Sequence, residues 1–208
     1  NRRQGWAAGA GSRIFHTSNG GANWSLQAEY WGLQSIYALS FTDSLNGWGA
    51  AKELLHTTNG GLNWERDSTI LWSRDIVFVD SLRGWVCGQE KIARTTDRGR
   101  TWRVMYDLGP LWTDMSVVDF DHVMVLSQSR SFAYTSNGGA SWTTQNNIST
   151  AALNDLAFKD TLNGLAVGGN GFILKSSNGG TSWQNILQTT TSNRLSGMHF
   201  IDPRWGWI

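Results

Sequence analysis

Five segments of the chain repeat one eight-residue pattern, and their spacing limits the fold more than any other feature. They are residues 17–24 (TSNGGANW), 57–64 (TTNGGLNW), 95–102 (TTDRGRTW), 135–142 (TSNGGASW) and 176–183 (SSNGGTSW). Their closing tryptophans are 40, 38, 40 and 41 residues apart. A second pattern lies between these boxes: FTDSLNGW at 41–48, FVDSLRGW at 78–85, FKDTLNGL at 158–165 and FIDPRWGW at 200–207. Its tail opens the chain at Gly5-Trp6, and the copy at Phe120-Asp121-His122 reads as shortened, without its Gly-Trp. A repeat of this length must be read before any single element.

Each period reads as four short strands. In the second period, 35–41 alternates and is apolar, and 43–46 is a turn. Residues 47–51 form a second strand, 52–53 a tight turn and 54–58 a third strand; a fourth starts at 64–67 after the box. Short strands with turn signals every 8–12 residues predict an all-β fold. About 40 residues and four strands per repeat is the blade unit of a β-propeller. Complete blades are expected at 35–69, 72–107, 113–146 and 151–189, with partial blades at 1–28 and 194–208, in one domain spanning 1–208. About five blades are visible. The partial blades at both ends read as part of a propeller of six to eight blades.

The box has a physical reading. Asn19, Asn59, Asp97, Asn137 and Asn178 are placed to bond back to the loop backbone as Asx-turns. The glycine two residues later is expected at positive φ, which a side chain would penalise. The Thr or Ser at the start can close the loop with its hydroxyl. Trp24, Trp64, Trp102, Trp142 and Trp183 are expected to bury their rings between neighbouring blades, with a partner for each indole N–H.

This pattern, Ser/Thr-x-Asp/Asn-x-Gly-x-x-Trp, resembles the Asp-box, also called the bacterial neuraminidase repeat. Together with the Phe-x-Asp-x-x-x-Gly-Trp segment it is most similar to the photosystem II stability/assembly factor-like propellers. The resemblance covers the whole chain, blade by blade. It implies a propeller of Asp-box blades and a role in assisting or decorating a larger complex. Function sits in sites grafted on a fold, so the resemblance speaks to architecture before activity.

Composition narrows the function. Lys and Arg number 17 against 16 Asp and Glu, a net charge of +1. That balance removes the electrostatic case for a nucleic-acid binder. The 40% hydrophobic share suffices for a core. No apolar stretch reaches the ~18 residues of a membrane span. Cys87 is the single cysteine, so no internal disulfide forms; it reads as inert core in a second strand. No His/Asp/Glu cluster has metal-ligand spacing, and no cofactor is expected. Gly168 to Gly171 reads as a hairpin turn rather than a phosphate loop, lacking the lysine and following helix.

Candidate binding residues lie in the loops between blades. Once the box and Gly-Trp tryptophans are set aside, Trp31, Trp72, Trp112 and Trp205 remain, and the first three fall just before innermost strands. They read either as an aromatic platform for a protein or sugar, or as rings that plug the gaps between blades. Arg13, Arg74, Arg130 and Arg194 fall in or near the same loops, with Arg74 and Arg194 the binding candidates. A sialidase would need three converging arginines, a Tyr/Glu pair and an Asp. Tyr30, Tyr37, Glu29 and Asp75 could fill those roles only loosely, and scattered surface arginine is the simpler account. A glycoside hydrolase needs two carboxylates across a cleft. Asp75, Asp114 and Asp155 sit near inner-strand starts, but Asp75 and Asp155 are repeat-equivalent and read as architectural. Asp43, Asp80, Asp160 and Asp202 read as turn formers, and His16 and His56 as strand residues.

The sequence therefore predicts a non-catalytic propeller that presents loops to a protein partner, as an accessory subunit of a larger envelope or extracellular complex. The competing reading is a glycoside hydrolase of the sialidase or glucanase kind, or a carbohydrate-binding module using the same loops. Export to the periplasm, cell surface or medium is expected, although no signal peptide is visible.

Overall fold

The computed structural model describes residues 3–30, 32, 34–107, 109–187, 193–202 and 205–207. The chain divides into two compact units, Asn1–Val104 and Met105–Ile208. The first unit opens with a three-stranded antiparallel sheet of β1 (Gly5–Ala8), β2 (Arg13–Thr17) and β3 (Ser25–Glu29). A four-stranded sheet follows, made of β4 (Ala38–Phe41), β5 (Gly47–Ala50), β6 (Leu54–Thr57) and β7 (Glu65–Asp67). The next sheet holds β8 (Ser73–Phe78), β9 (Gly84–Gly88), β10 (Ile92–Thr95) and β11 (Arg103–Tyr106), and the unit boundary falls within β11.

The second unit contains two more four-stranded sheets. One is β12 (Trp112–Val117), β13 (Val123–Ser127), β14 (Phe132–Thr135) and β15 (Thr143–Gln145). The other is β16 (Leu153–Phe158), β17 (Gly164–Gly168), β18 (Ile173–Ser176) and β19 (Gln184–Leu187). A final pair, β20 (His199–Asp202) and β21 (Trp205–Trp207), follows. In every sheet, sequence order is spatial order, which is the up-and-down meander of a propeller blade. The second period's inner strand starts at Ala38 rather than near 35, because Ser35 instead bridges to Ala10. Residues Gly169–Gly171 form a single 3-10 turn inside the β17–β18 hairpin.

The central strands read as continuous apolar runs because both faces of each sheet are covered. Alternate residues of a strand point to opposite faces. Leu54 and Leu55 are neighbours on β6, yet they enter different clusters. Leu54 packs with Trp48, Ile76, Val86 and Trp102, while Leu55 packs with Ile14, Ile36 and Trp64. In the second unit, Leu126, Phe132, Leu156, Phe158 and Leu174 form one core. Each such side chain contributes about 1.5–3 kcal/mol by leaving water.

The boxes fold alike in all five periods. The opening hydroxyl (Thr17, Thr57, Thr95, Thr135 or Ser176) accepts the N–H of the residue four places on, at 2.8–3.0 Å. That hydroxyl also donates to the Asn or Asp side chain. The Asn or Asp oxygen then accepts the N–H four residues further on, rather than the nearer amide of a simple Asx-turn. The second glycine of each box has φ between 76° and 91°, as expected. The residue before it is also left-handed, and its N–H reaches a carbonyl in the first turn of the same period; Gly60 to Leu45 is 2.8 Å.

The first turns are closed by aspartate. Asp43, Asp80 and Asp160 each accept two backbone N–H groups at 2.7–2.9 Å. Asp202 lies where no side chain is described. Asp119 does the same work in the fourth period, accepting from Asp121 and His122. This corrects the reading of a shortened copy there. The segment is full length, with Val117 in the phenylalanine position, Asp119 in the aspartate position and Val123-Met124 in place of Gly-Trp. The register was missed because the phenylalanine signal had moved to Phe120.

Candidate functional site

Three inner strands, β8, β12 and β16, carry a bulge at their second residue, whereas β4 pairs with β5 without one. The pairing register shifts between Ser73 and Asp75, between Trp112 and Asp114, and between Leu153 and Asp155. The bulge residues are therefore Arg74, Thr113 and Asn154. A bulge re-aims a side chain and often sits beside a binding site. A bulge leaves no trace in residue type, so these positions were not singled out as a set.

In the first unit the bulge turns Arg74 onto Tyr37. The guanidinium lies 4.0 Å from the centre of the Tyr37 ring, and Tyr37 is 44% exposed. Trp72 stands two residues earlier, 37% exposed, with the Lys52 ammonium 5.6 Å from its ring centre. Leu71 beside it is also exposed. Trp72 has φ of +58°, a strained state for an aromatic L-residue. Backbone bonds hold it there: its N–H donates to Lys52 at 2.8 Å, and its carbonyl accepts from Gln89 at 3.1 Å. Between the two pairs, the buried Ser73 hydroxyl donates to the Ala51 carbonyl and accepts the Ala51 N–H. The result is two aromatic–cation pairs facing solvent on a fixed backbone. Sequence reasoning named Trp72 and Arg74 as binding candidates, weighed Tyr37 only for a sialidase-type site and passed over Lys52.

Trp112 is a correction. It is the first residue of β12 and fully buried, with Tyr106 edge-on at 5.8 Å. It occupies the position of Ser73 and Leu153, whereas the equivalents of Trp72 are Leu111 and Ala152. A one-residue shift moves a strand side chain to the opposite face. Trp112 therefore plugs the interior and presents no platform. Trp31 lies outside the described residues.

Arg194 belongs to the second unit. It donates to the Asn154 side-chain oxygen at 2.9 Å, and the Asn154 amide donates to the Leu195 carbonyl at 2.7 Å. Both residues line an open cavity of about 490 Å³ together with Thr113, Gln128 and Asn170. The carboxylates nearby serve the backbone. Asp114 accepts the Leu156 N–H at 2.6 Å, and Asp155 accepts from Leu156 and Met198. Asp75 accepts the Ile76 N–H at 2.8 Å. The architectural reading of Asp75 and Asp155 fits these bonds, and the pairing register puts Asp114 in the same position.

The box tryptophans divide. Trp64 and Trp102 are buried, and each meets the phenylalanine of its own sheet edge-on: Phe41 at 5.7 Å and 90°, Phe78 at 6.0 Å and 81°. Trp183 meets Phe158 and Phe132 in the same way. Trp142, opposite the Val117 period, contacts Tyr106 instead. Trp24 is 46% exposed, against expectation: among the described residues its sheet has three strands and lacks the inner strand that supplies Phe41 to Trp64 and Phe78 to Trp102. The indole N–H groups of Trp64, Trp102 and Trp183 are buried with no hydrogen-bond acceptor among the described residues, so edge-to-face ring packing rather than hydrogen bonding seats them. Among the described residues no group of three or more His, Cys, Asp or Glu could hold a metal ion, and no helix is long and apolar enough to cross a membrane.

No family model matches the sequence, and no curated protein does. Solved structures do. YCF48 bound to D1 peptide is similar at a TM-score of 0.66 and 18% identity, over 99% of this chain and 86% of that one. A GH74 enzyme of Niastella koreensis is similar at 0.70 and 16% identity, over 88% of this chain and 36% of that one. The RRP9 WD40 repeats are similar at 0.74 and 7% identity, over 94% and 66%. At such identities the likeness concerns the fold, and the fold is an all-β propeller.

Proposed function

We propose that the chain is a non-catalytic propeller acting as a protein-interaction platform, an accessory subunit of a larger complex. The observation that carries this reading is the exposed pair of aromatic–cation contacts, Tyr37 with Arg74 and Trp72 with Lys52, on a backbone held in a strained state. Trp, Tyr and Arg are the side chains that dominate protein interfaces. Rigid aromatic rings add contact area at little entropic cost, and a stacked guanidinium is ready to meet a carboxylate. The partner would be an extended segment with apolar side chains and a carboxylate. A propeller neighbour solved with a peptide bound adds support.

The proposal includes the finer family reading. The shared box geometry and the Asp-closed turns support Asp-box repeats similar to those of the assembly factor-like propellers; a single domain and export are further parts of the proposal. A glycan-cleaving role has less support, since Asp114 and Asp155 already accept backbone N–H groups.

The test is selection of binding peptides from a random displayed library on the purified chain, followed by anisotropy titrations. Arg74→Ala and Trp72→Ala are each expected to weaken the selected peptides about tenfold or more, with unchanged circular dichroism. Peptides that bind both variants as they bind the parent would overturn the assigned face. Hydrolysis of a polysaccharide by the parent chain would overturn the non-catalytic reading.

A further inference from the structure

The third box departs from the other four. Where they carry Asn-Gly-Gly and a small or apolar residue, it carries Asp97-Arg98-Gly99-Arg100. Arg98 takes φ of +66°, while the equivalent glycines Gly20, Gly60, Gly138 and Gly179 lie between 65° and 74°. Its backbone N–H donates to Leu82 at 2.9 Å, the same bond that the glycines make. The backbone bond is the one a glycine makes, so the loop geometry itself needs no side chain here and bears a left-handed L-residue.

Both arginine side chains line a groove of about 210 Å³ in the first unit. Its inner wall is Trp48 with the His56 ring stacked on it at 4.2 Å, and Phe78. The hydroxyls of Thr58, in the preceding box, and Ser81, in the β8–β9 turn, also line it. Neither hydroxyl makes a hydrogen bond among the described residues, and neither guanidinium forms an ion pair there. Asp43 borders the groove, but its carboxylate already accepts from the Leu45 and Asn46 amides and the Asn46 side chain. The groove lining therefore holds two guanidinium charges against the one carboxylate of Asp43, which attracts Arg98, while Asp97 of the same box attracts Arg100 without pairing with it.

We propose that this groove binds a tetrahedral oxyanion, a phosphate or sulfate group, through Arg98, Arg100, Thr58 and Ser81. Two like charges held in one groove, one of them on a strained backbone, are explained by an anion between them. The donors come from three separate loops. A planar carboxylate is met from one side by one arginine fork, whereas a tetrahedral group offers oxygens in several directions.

The test is calorimetric titration of the purified chain with inorganic phosphate and, separately, inorganic sulfate at constant ionic strength. One saturable site is expected, with a dissociation constant on the order of 1 mM. Arg98→Gly installs the residue of the other four boxes, and Arg100→Ala resembles their Ala22 and Ala140. Each is expected to weaken the anion at least tenfold without lowering the thermal midpoint. Stronger binding of phosphate assigns a phosphorylated ligand, and stronger binding of sulfate a sulfated one. No saturable binding of either anion, or variants that bind like the parent, would overturn the site. Because Trp72 and Arg74 are untouched, selected peptides should bind these variants as before, which separates this result from that of the peptide face.

Discussion

Phe78 and Gly84 stand opposite each other across β8 and β9, and a Cβ on Gly84 would lie 2.9 Å from the Phe78 ring. Phe41 with Gly47 and Phe158 with Gly164 repeat the arrangement. In the fourth period the same register pairs Val117 with Val123. The ring lies over the space a side chain would fill. Where the ring is gone, a valine occupies it.

That relationship predicts a coupled pair. Gly84→Val alone should destabilise the chain by about 1–3 kcal/mol through overpacking. Phe78→Val should cost about 2–4 kcal/mol, since Phe78 also packs on Trp48 and Trp102. The double variant should be no less stable than Phe78→Val alone. Urea unfolding of all four proteins measures the coupling; simple additivity would refute the account.

The box hydroxyl is expected to matter more than the box charge. Thr95 is buried, and its oxygen accepts the N–H groups of Asp97 and Gly99. Thr95→Val keeps the shape but strands both donors, at about 2–3 kcal/mol. Asp97→Asn restores the residue of the other boxes, where Asn137 donates to Ser141, and should change stability by under about 0.5 kcal/mol. Thermal denaturation of the two variants distinguishes them.

Stability should fall in acid. Asp43 is held below the ordinary carboxylate value of 3.8 by hydrogen bonds from the Asn46 side chain and from the Asn46 and Leu45 amides. Asp80 is lowered by the Leu82 amide and Arg83, and Asp97 by the Thr101 hydroxyl and amide. A depressed folded pKa gives stability that is present above the unfolded value of 3.8 and lost as pH drops through the folded one. Burial also holds His56 below its ordinary 6.5, so urea midpoints should dip slightly as pH falls through about 6.5 and decline further below about 4. Asp80→Asn should shallow that decline.

Cys87 is fully buried in β9. Its thiol should resist an aromatic disulfide reagent in the native protein and react at once in denaturant. Labelling that is rapid under native conditions would show that β9 opens locally.

Much of this protein was written in the sequence. The 40-residue repeat, its turn residues and its four strands specify the blade, because hydroxyl-to-amide bonds and positive-φ glycines act within ten residues of chain. The same locality made the Asp43, Asp80 and Asp160 turns readable, and the apolar second strand made the buried position of Cys87 readable. The fourth period was misread where identity changed without change of role, since Val117 and Val123 reveal their kinship to Phe78 and Gly84 only when placed opposite each other.

Tertiary structure alone decided which tryptophan faces water. Trp72 and Trp112 look equivalent along the chain, but strand alternation and a bulge at Arg74 or Thr113 leave one exposed and the other sealed. It also decided that Arg74 meets Tyr37, 37 residues earlier, and that Arg98 and Arg100 share a groove with Thr58. Local hydrogen bonding fixes the blade and can be read from a short stretch of residues. A surface site joins side chains from separate loops, and only the packing of one sheet on the next brings those together.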